Sequence, residues 1–332
     1  MIRMTETLTQ MTIRPFADTD YPTVNAVSVA AYPDYPWSEE EFRHWDSHFD
    51  GARLKLGRLV AEDRDGRTVG FADWHHSTDS YHPQKFFLDV TVHPDEQRRG
   101  IGPRLYDALI TALALYDPIV LWGNVKETFA HSIRFAEQRG FVEKRRAWES
   151  RLQVAAFDPS PFEAKAAHAV EGLAITTAAA AAKRNPAWQA DLHDLHKEVL
   201  ADVPRVDEHT PPTLEEYIAR HLGNPGYMPE AHFLVQDGDR FVAESDLFRS
   251  QELPSVLYQG ITGTRRAYRN RGLALALKLR TVAFARANGI REIRTWNDSL
   301  NAAMLHINTA MGFVRQTAWI SLEKVLPVRA AR

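Results

Sequence analysis

Residues 97–102 read Gln-Arg-Arg-Gly-Ile-Gly. This basic, glycine-rich hexapeptide lies between a β-branched run, LDVTVHP, and a segment with helical spacing, PRLYDALITAL. Residues 269–274, Arg-Asn-Arg-Gly-Leu-Ala, have nearly the same layout. A helix begins with about four N–H groups that lack intrahelical partners, and its dipole places partial positive charge there. Glycine lets the backbone approach a ligand closely, and arginine adds charge and forked contacts to phosphate. A strand that passes through such a loop into a helix is therefore suited to cradling a diphosphate. The pattern is neither the GxxxxGK(S/T) of a P-loop nor the GxGxxG of a dinucleotide fold.

Working outward, the second loop proves to be part of a repeat. Gly100 and Gly272 stand 172 positions apart, and Gly140-Phe141 and Gly312-Phe313 keep that offset. Further on, Ala147-Trp148-Glu149-Ser150 answers Ala318-Trp319-Ile320-Ser321 at an offset of 171. Upstream, Ser38-Glu39-Glu40-Glu41 and Thr213-Leu214-Glu215-Glu216 are both capping boxes that open a helix. Each copy reads as strand, two helices, three strands, glycine loop, helix, strand, helix and final strand. The fold class is mixed α/β, with one domain over 11–154, a linker at 155–168 where proline and then alanine break the pattern, and a second domain over 169–327. Within the second copy LALALKL alternates like a strand, so the helix there rests on the repeat.

A length of 332 residues suits two cores rather than one. The net charge of −3 gives no pull toward nucleic acid, and neither half has a basic face with interleaved aromatics. No apolar run reaches the length of a membrane span and the first residues lack a signal peptide's apolar stretch, so a cytoplasmic protein with no membrane partner is expected. With no cysteine in the chain, disulfides, thiolate-bound zinc and a cysteine acyl-enzyme are excluded. His75 and His76 point to opposite faces of a strand, and His44 and His48 lack both a third ligand and the glutamate of HExxH, so no metal is expected.

With the element order and the second copy in view, VTVHPDEQRRGIGPRLYDAL and TGTRRAYRNRGLALALKLR resemble the acetyl-coenzyme A motif of the GNAT superfamily of N-acetyltransferases. The later TWNDSLNAAMLHINTAMGF resembles that family's following strand and helix. The resemblance spans nearly the whole chain, one GNAT acyl-CoA N-acyltransferase fold per half, a tandem layout similar to that of mycothiol synthase. It implies that Val90, Thr91 and Val92, and in the second copy Thr262, Gly263 and Thr264, pair with the pantetheine arm of acetyl-CoA, with the N–H of Val92 or Thr264 facing the thioester oxygen. It implies that Gln97, Arg98, Arg99, Gly100, Ile101 and Gly102, and in the second copy Arg269, Asn270, Arg271, Gly272, Leu273 and Ala274, hold the pyrophosphate. Asn124 or Asn297, and Asn301, would touch pantetheine, or else cap helices.

The chain also departs from the family pattern. Pro103 removes one N–H behind the first loop, whereas Leu275 keeps it in the second. The tyrosine that often protonates the departing thiolate is Ala136 in FAEQRGF and Asn308 in INTAMGF. An acceptor amine must lose a proton before it attacks, and the bases on offer are Asp89, Asp246 and His306, with His131 beside them. The connection AAYPDYPWSEEEF carries Asp34, Glu39, Tyr32, Tyr35 and Trp37, and ADVPRVDEHTPPTLEEY carries Asp202, Asp207 and Glu208. Carboxylates and aromatics suit a cationic acceptor. The function expected is transfer of acetyl from acetyl-CoA to a primary amine of a small molecule by direct attack in a ternary complex, in a monomer or homodimer. A non-catalytic acyl-CoA-binding protein, or a transferase with another acyl donor, is the alternative.

Overall fold

The computed structural model describes residues 11–49 and 51–327. In chain order its first elements are β1 (Thr12–Pro15), α1 (Tyr21–Ala31), α2 (Glu39–Asp46), β2 (Leu56–Glu62), β3 (Thr68–His76), β4 (Lys85–Val92), α3 (Ile101–Leu113), β5 (Val120–Lys126), α4 (Ala130–Glu137) and β6 (Val142–Gln153). There follow α5 (Ser160–Ala169), β7 (Ala174–Thr177), α6 (Ala178–Ala182), α7 (Trp188–Leu200), α8 (Leu214–Tyr217), β8 (Phe233–Asp237), β9 (Arg240–Arg249), β10 (Val256–Thr264), α9 (Leu273–Ala287), β11 (Glu292–Asp298), α10 (Ala302–Ala310) and β12 (Val314–Val325). The order read from the repeat is present in both copies, with the short α6 as an additional helix in the second. The alternating LALALKL is helical, as its place in the repeat required. Both capping boxes form, with Ser38 Oγ accepting from the Glu41 N–H at 3.0 Å and Thr213 Oγ1 from the Glu216 N–H at 3.2 Å.

Two compact units result. The first runs to Lys144 and is completed by the chain from Ile320 onward; the second is Arg145–Trp319. In the first, strands β1 to β4 are antiparallel neighbours and β5 lies parallel to β4. The stripe Ile101, Leu105, Leu109 and Leu113 along α3 packs on one sheet face with Ala72, Phe86 and Leu121, as apolar residues three and four apart should. On the other face Val24, Val27 and Phe42 from α1 and α2 close over Val60 and Phe71. The pairing of β4 with β5 stops at Phe87↔Trp122, after only three registered pairs. Beyond it the two parallel strands part and leave a wedge between them.

In the second unit β10 and β11 likewise pair only from Val256↔Glu292 to Tyr258↔Arg294. Here β10 also carries an irregularity against β9 between Gln259 and Thr262, which β4 lacks against β3.

The boundary between the units differs from the one read in the sequence. After Lys144, β6 runs antiparallel along β11, from Asp298↔Ala147 to Glu292↔Gln153. The first unit is completed instead by the end of β12, whose Ile320 and Leu322 enter its core. There the Trp122 indole donates to Glu323 at 2.9 Å and the Leu326 N–H to the Ile119 carbonyl at 2.8 Å. The final strands have thus changed places. Nor is 155–168 a linker: α5 occupies most of it, Phe157 and Phe162 stack at 5.9 Å, and Ala169 packs with Leu273 and Leu277 of α9. Its alanines, read as a break, are helix formers with an apolar face to bury.

Candidate active site

The glycine loops have one backbone conformation in both units. Gln97 is extended (φ −63°, ψ 159°), Arg98 has φ 62°, and Gly100 precedes α3 with φ 82° and ψ 4°. Arg269 (φ −67°, ψ 164°), Asn270 (φ 61°) and Gly272 (φ 88°, ψ 6°) repeat this. Left-handed residues set among right-handed ones turn consecutive N–H groups toward one side, forming an anion-binding nest. The N–H groups of Arg98 to Gly102 and of Asn270 to Ala274 take no backbone acceptor among the described residues. Asparagine tolerates the left-handed region; arginine does so at a cost the surroundings must cover.

The loops' long side chains do less than the sequence suggested. Gln97 Nε2 donates back to the Val92 carbonyl at 3.2 Å, and Arg269 Nε to the Thr264 carbonyl at the same distance. Arg99 is held by Glu96 at 2.6 Å, and Arg269 shares Asp202 with Arg266. Arg271 lies over the Tyr268 ring at 5.3 Å. Most of these cations brace the loop, which leaves the backbone N–H groups of the nest as the donors facing its open side. Arg98 is exposed at the rim.

In the first unit the wedge between β4 and β5 opens into a cavity of about 450 Å³ that meets the loop. Its walls include Tyr32, Asp89, Tyr106, Trp122, Asn124 and Phe135. The edge of β4 on this side follows from register. Along an antiparallel strand, alternate residues turn their N–H and C=O to the same neighbour. The His93 N–H donates to Val69 of β3 at 3.0 Å, so Thr91 and Asp89 also turn to β3, while Val90 and Val92 turn to the wedge, where β5 has departed. In the second unit Arg265 donates to Val242 at 2.9 Å, which turns Thr262 and Thr264 toward the β11 side.

Asp89 lies directly across from Asp73 on β3. Burial, and next the charge of Asp73, push its carboxyl up to about 7, against the hydrogen bond from Thr91 Oγ1 at 2.7 Å and the charge of Arg58. Asp73 belongs to a buried group in which Arg58 donates to Asp46 at 2.7 and 3.1 Å and approaches Asp73 at 3.5 Å. Tyr32, on the wall with Asp89, has its hydroxyl raised far above the usual range by burial and by the Asp89 charge. A carboxyl that gives up its proton near neutrality and a phenol that keeps its own thus line one cavity. His131 is there too, stacked on Phe129 at 6.0 Å.

Other candidates fall elsewhere. Asp246 is fully buried on β9 against His221, 2.7 Å away, and so is no base for an incoming acceptor. Its strand neighbours show why: it occupies the place of Asp73, while the irregular stretch Gly260–Ile261 stands where the first unit has Asp89. His306 is exposed on α10. Asn301 caps α10 by accepting from the Met304 N–H at 3.2 Å, and Asn297 Oδ1 accepts from Asn308 at 2.6 Å. Asn124 lines the cavity and accepts from Ser321 at 2.9 Å. Tyr106, Trp122 and Phe135 went unread in the sequence; only the stripe of α3 and the aromatic content of α4 and β5 marked them, and those read equally as core.

Over residues 20–141 the sequence matches the acetyltransferase (GNAT) family. A 132-residue stretch, 40% of the chain, is 31% identical to [ribosomal protein bS18]-alanine N-acetyltransferase of Salmonella typhimurium and covers 81% of that enzyme. The chain belongs to the GNAT acetyltransferase family. The [ribosomal protein bS18]-alanine N-acetyltransferase of Escherichia coli (strain K12) is 29% identical over 132 residues, again with 81% of that enzyme covered. Among solved structures, a GCN5-related N-acetyltransferase from Sphaerobacter thermophilus superposes with a TM-score of 0.68 at 18% identity, covering 95% of both chains. A tandem GNAT protein from the clavulanic acid biosynthesis pathway gives 0.71 at 17% identity over 95% of this chain and 98% of the other. The tandem GNAT fold read from the repeat is therefore the observed one, and the protein is a GNAT-type N-acetyltransferase. Among the described residues no helix is long and apolar enough to cross a membrane.

Proposed function

We propose that the first unit transfers an acetyl group from acetyl-CoA to the primary amine of a small acceptor, with Asp89 as general base. One observation carries the reading: a single cavity joins the nest of Arg98–Gly102, the outward N–H edge of Val90 and Val92, and the Asp89 carboxyl. The nest takes the diphosphate and the strand edge takes the pantetheine amides, so that the thioester lies across Val92. An N–H there stabilises the oxygen on which charge develops. Asp89 removes a proton from the acceptor ammonium, directly or through water. The amine nitrogen then bonds to the thioester carbon and gives up its second proton, and the carbon–sulfur bond breaks as the intermediate collapses. The sulfur leaves as thiolate and takes up that proton, relayed by water or by the Tyr32 hydroxyl, which regains its own from the nitrogen. Thiols are acidic enough to leave without much help, which is consistent with Ala136 where the family often has tyrosine.

The acceptor loop supports an amine. Lys126, itself a primary ammonium, lies 3.6 Å from Asp34 and over the Tyr35 ring at 4.8 Å. In the second unit the base position is the Gly260–Ile261 irregularity, and Lys278 stands where the first unit has Tyr106. We assign that unit no turnover.

The test is calorimetric titration with acetyl-CoA of the wild type, Gly102→Glu and Ala274→Glu. A Cβ at Gly102 comes no closer than 3.6 Å to Phe135, and an acid in a first helical turn favours the helix, so the fold persists while the carboxylate repels diphosphate. Gly102→Glu should abolish binding to the first unit and all release of free CoA in an amine screen. Unchanged affinity and turnover in that variant would overturn the assignment.

A further inference from the structure

Three positions of the duplicated fold carry a buried charge cluster in both units, built from different residues. Arg58 and Asp73 lie opposite each other on β2 and β3. The register Phe233↔Ser245 places His232, the residue before β8, opposite Asp246 of β9, at the corresponding point of the sheet. Asp46 follows the capping serine Ser38 by as many residues as His221 follows Thr213. In the first unit the Arg58 guanidinium lies between the two carboxylates and offsets one of their two charges. The second unit has imidazoles in place of Arg58 and Asp46 and no guanidinium.

What remains there is a converging set of lone pairs. Donor atoms of His221, His232 and Asp246 all lie within 4.8 Å of one another. His232 and Asp246 are fully buried, and the His221 side chain, at 18% exposure, forms the open edge. His221 Nε2 approaches Asp246 Oδ2 to 2.7 Å, yet without the angle of an N–H···O bond, and neither Asp246 oxygen receives a hydrogen bond. A sealed carboxylate in that state is costly unless a cation meets it. Glu244, also fully buried, stands beside the set with Oε2 at 3.3 Å from His232 Nε2. That contact is a hydrogen bond, so Glu244 lies beside the three converging donors and not among them. His232 Nδ1 is 3.0 Å from the Tyr227 hydroxyl and His196 Nδ1 is 3.1 Å from Glu244 Oε1, contacts of the kind that orient metal ligands from behind. Where Glu244 sits, the first unit has apolar Phe71.

We propose that the second unit binds one divalent transition-metal ion of the zinc type through His221, His232 and Asp246, with water taking the fourth position at the open His221 edge. A dication held by two neutral imidazoles and the Asp246 carboxylate, with the Glu244 carboxylate beside it, balances the two buried negative charges. The ion does for this unit what the guanidinium does for the other: it ties the turn after α8 to β8 and β9. No spacing along the chain marks this set, and the expectation of no metal rested on the His44/His48 and His75/His76 pairs of the first unit.

The full-length chain, stripped with chelator, is titrated with Zn²⁺ against a chromophoric competitor and with Co²⁺ in the visible range. We expect uptake of one ion per chain, absorption bands of tetrahedral Co²⁺, and a melting temperature several degrees higher with Zn²⁺ than without. The double variant His221→Asp/His232→Arg installs the first unit's solution. It should melt no lower than the stripped wild type and take up no ion, while Asp246→Asn should bind at least 100-fold more weakly. If the wild type takes up neither Zn²⁺ nor Co²⁺, or if the double variant takes up as much, the proposal falls; the wild-type titration decides alone should the double variant not fold.

Discussion

Replacing Asp89 by asparagine should stabilise the protein at alkaline pH while removing its activity, and the two effects have one cause. The carboxyl is raised from 3.8 to about 7, by burial first and the Asp73 charge second. Each pKa unit corresponds to about 1.4 kcal/mol, so the ionised form costs the folded state about 4 kcal/mol as a ceiling. The folded carboxyl takes a proton below about 7 and the unfolded one only below about 4. Its favourable contribution is therefore complete at pH 4 and below and is lost as the pH climbs to 7. Asparagine does not ionise, and its Oδ1 still accepts from Thr91. Because Asp89 lies on a cavity wall open to water, the net gain at pH 8 should be about 1–2 kcal/mol, read as a shift in urea midpoint, and most of it should vanish by pH 5. The same change should lower kcat about 100- to 10,000-fold, as loss of a general base does, and erase the acid limb of kcat/KM with its midpoint near 7. Asp73→Asn removes the second cause and should move that limb to lower pH. If Asp89→Asn keeps activity within tenfold and retains the acid limb, Asp89 is not the base; if the variant is less stable at pH 8, the account of its environment is wrong.

Tyr32→Phe should leave acetyl-CoA affinity unchanged in calorimetry and lower kcat about tenfold, with most of the loss at the alkaline end of the profile, where solvent protonates the thiolate least readily. Lys278→Met should stabilise the second unit. The Lys278 ammonium is fully buried, has no hydrogen-bond partner, lies 4.7 Å from the Phe313 ring centre, and is pushed down to about 7 by burial alone. Its unfolded counterpart holds a proton up to about 10.5, so the penalty is complete at pH 7 and below and fades as the pH rises toward 10.5. The gain, about 2–4 kcal/mol at pH 7, should shrink in thermal melts toward pH 10; a constant gain would mean that lost charge is not its source.

The element order, the tandem GNAT fold and the loops could be read in the sequence because local rules set them. Apolar spacing, capping boxes and glycine at a left-handed position each act within a few residues, and the second copy repeated the whole series. The strand exchange was illegible for the same reason: β6 and β12 have the same local pattern whichever unit they complete. Asn301 shows a different limit. A cap and a ligand contact ask for the same residue, and only the Met304 N–H distinguishes them. Asp89 and Asp246 are both strand carboxylates, yet Asp246 is on β9 and answers to Asp73 on β3, while the irregularity between Gln259 and Thr262 stands where the first unit has Asp89. His221, His232 and Asp246 meet across a helical turn and two strands, and no spacing along the chain announces that.

Comparison of the two units separates what the backbone does from what side chains do. Through the loops, φ agrees to within a few degrees although Arg98 is replaced by Asn270 and Ile101 by Leu273. The groups that would hold a diphosphate are N–H donors, which no substitution short of proline removes. The positions that would do chemistry have diverged: Asp89 against the Gly260–Ile261 irregularity, Tyr106 against Lys278, Ala136 against Asn308. Drift of this kind costs a duplicated enzyme catalysis long before it costs the cradle, because the cradle is a conformation while the base is a single side chain. It also frees interior positions to take on other chemistry. The cluster around Glu244 and Asp246 is where the second unit has spent that freedom, with a set of buried ionisable groups at sites that the first unit fills with Phe71 and an arginine.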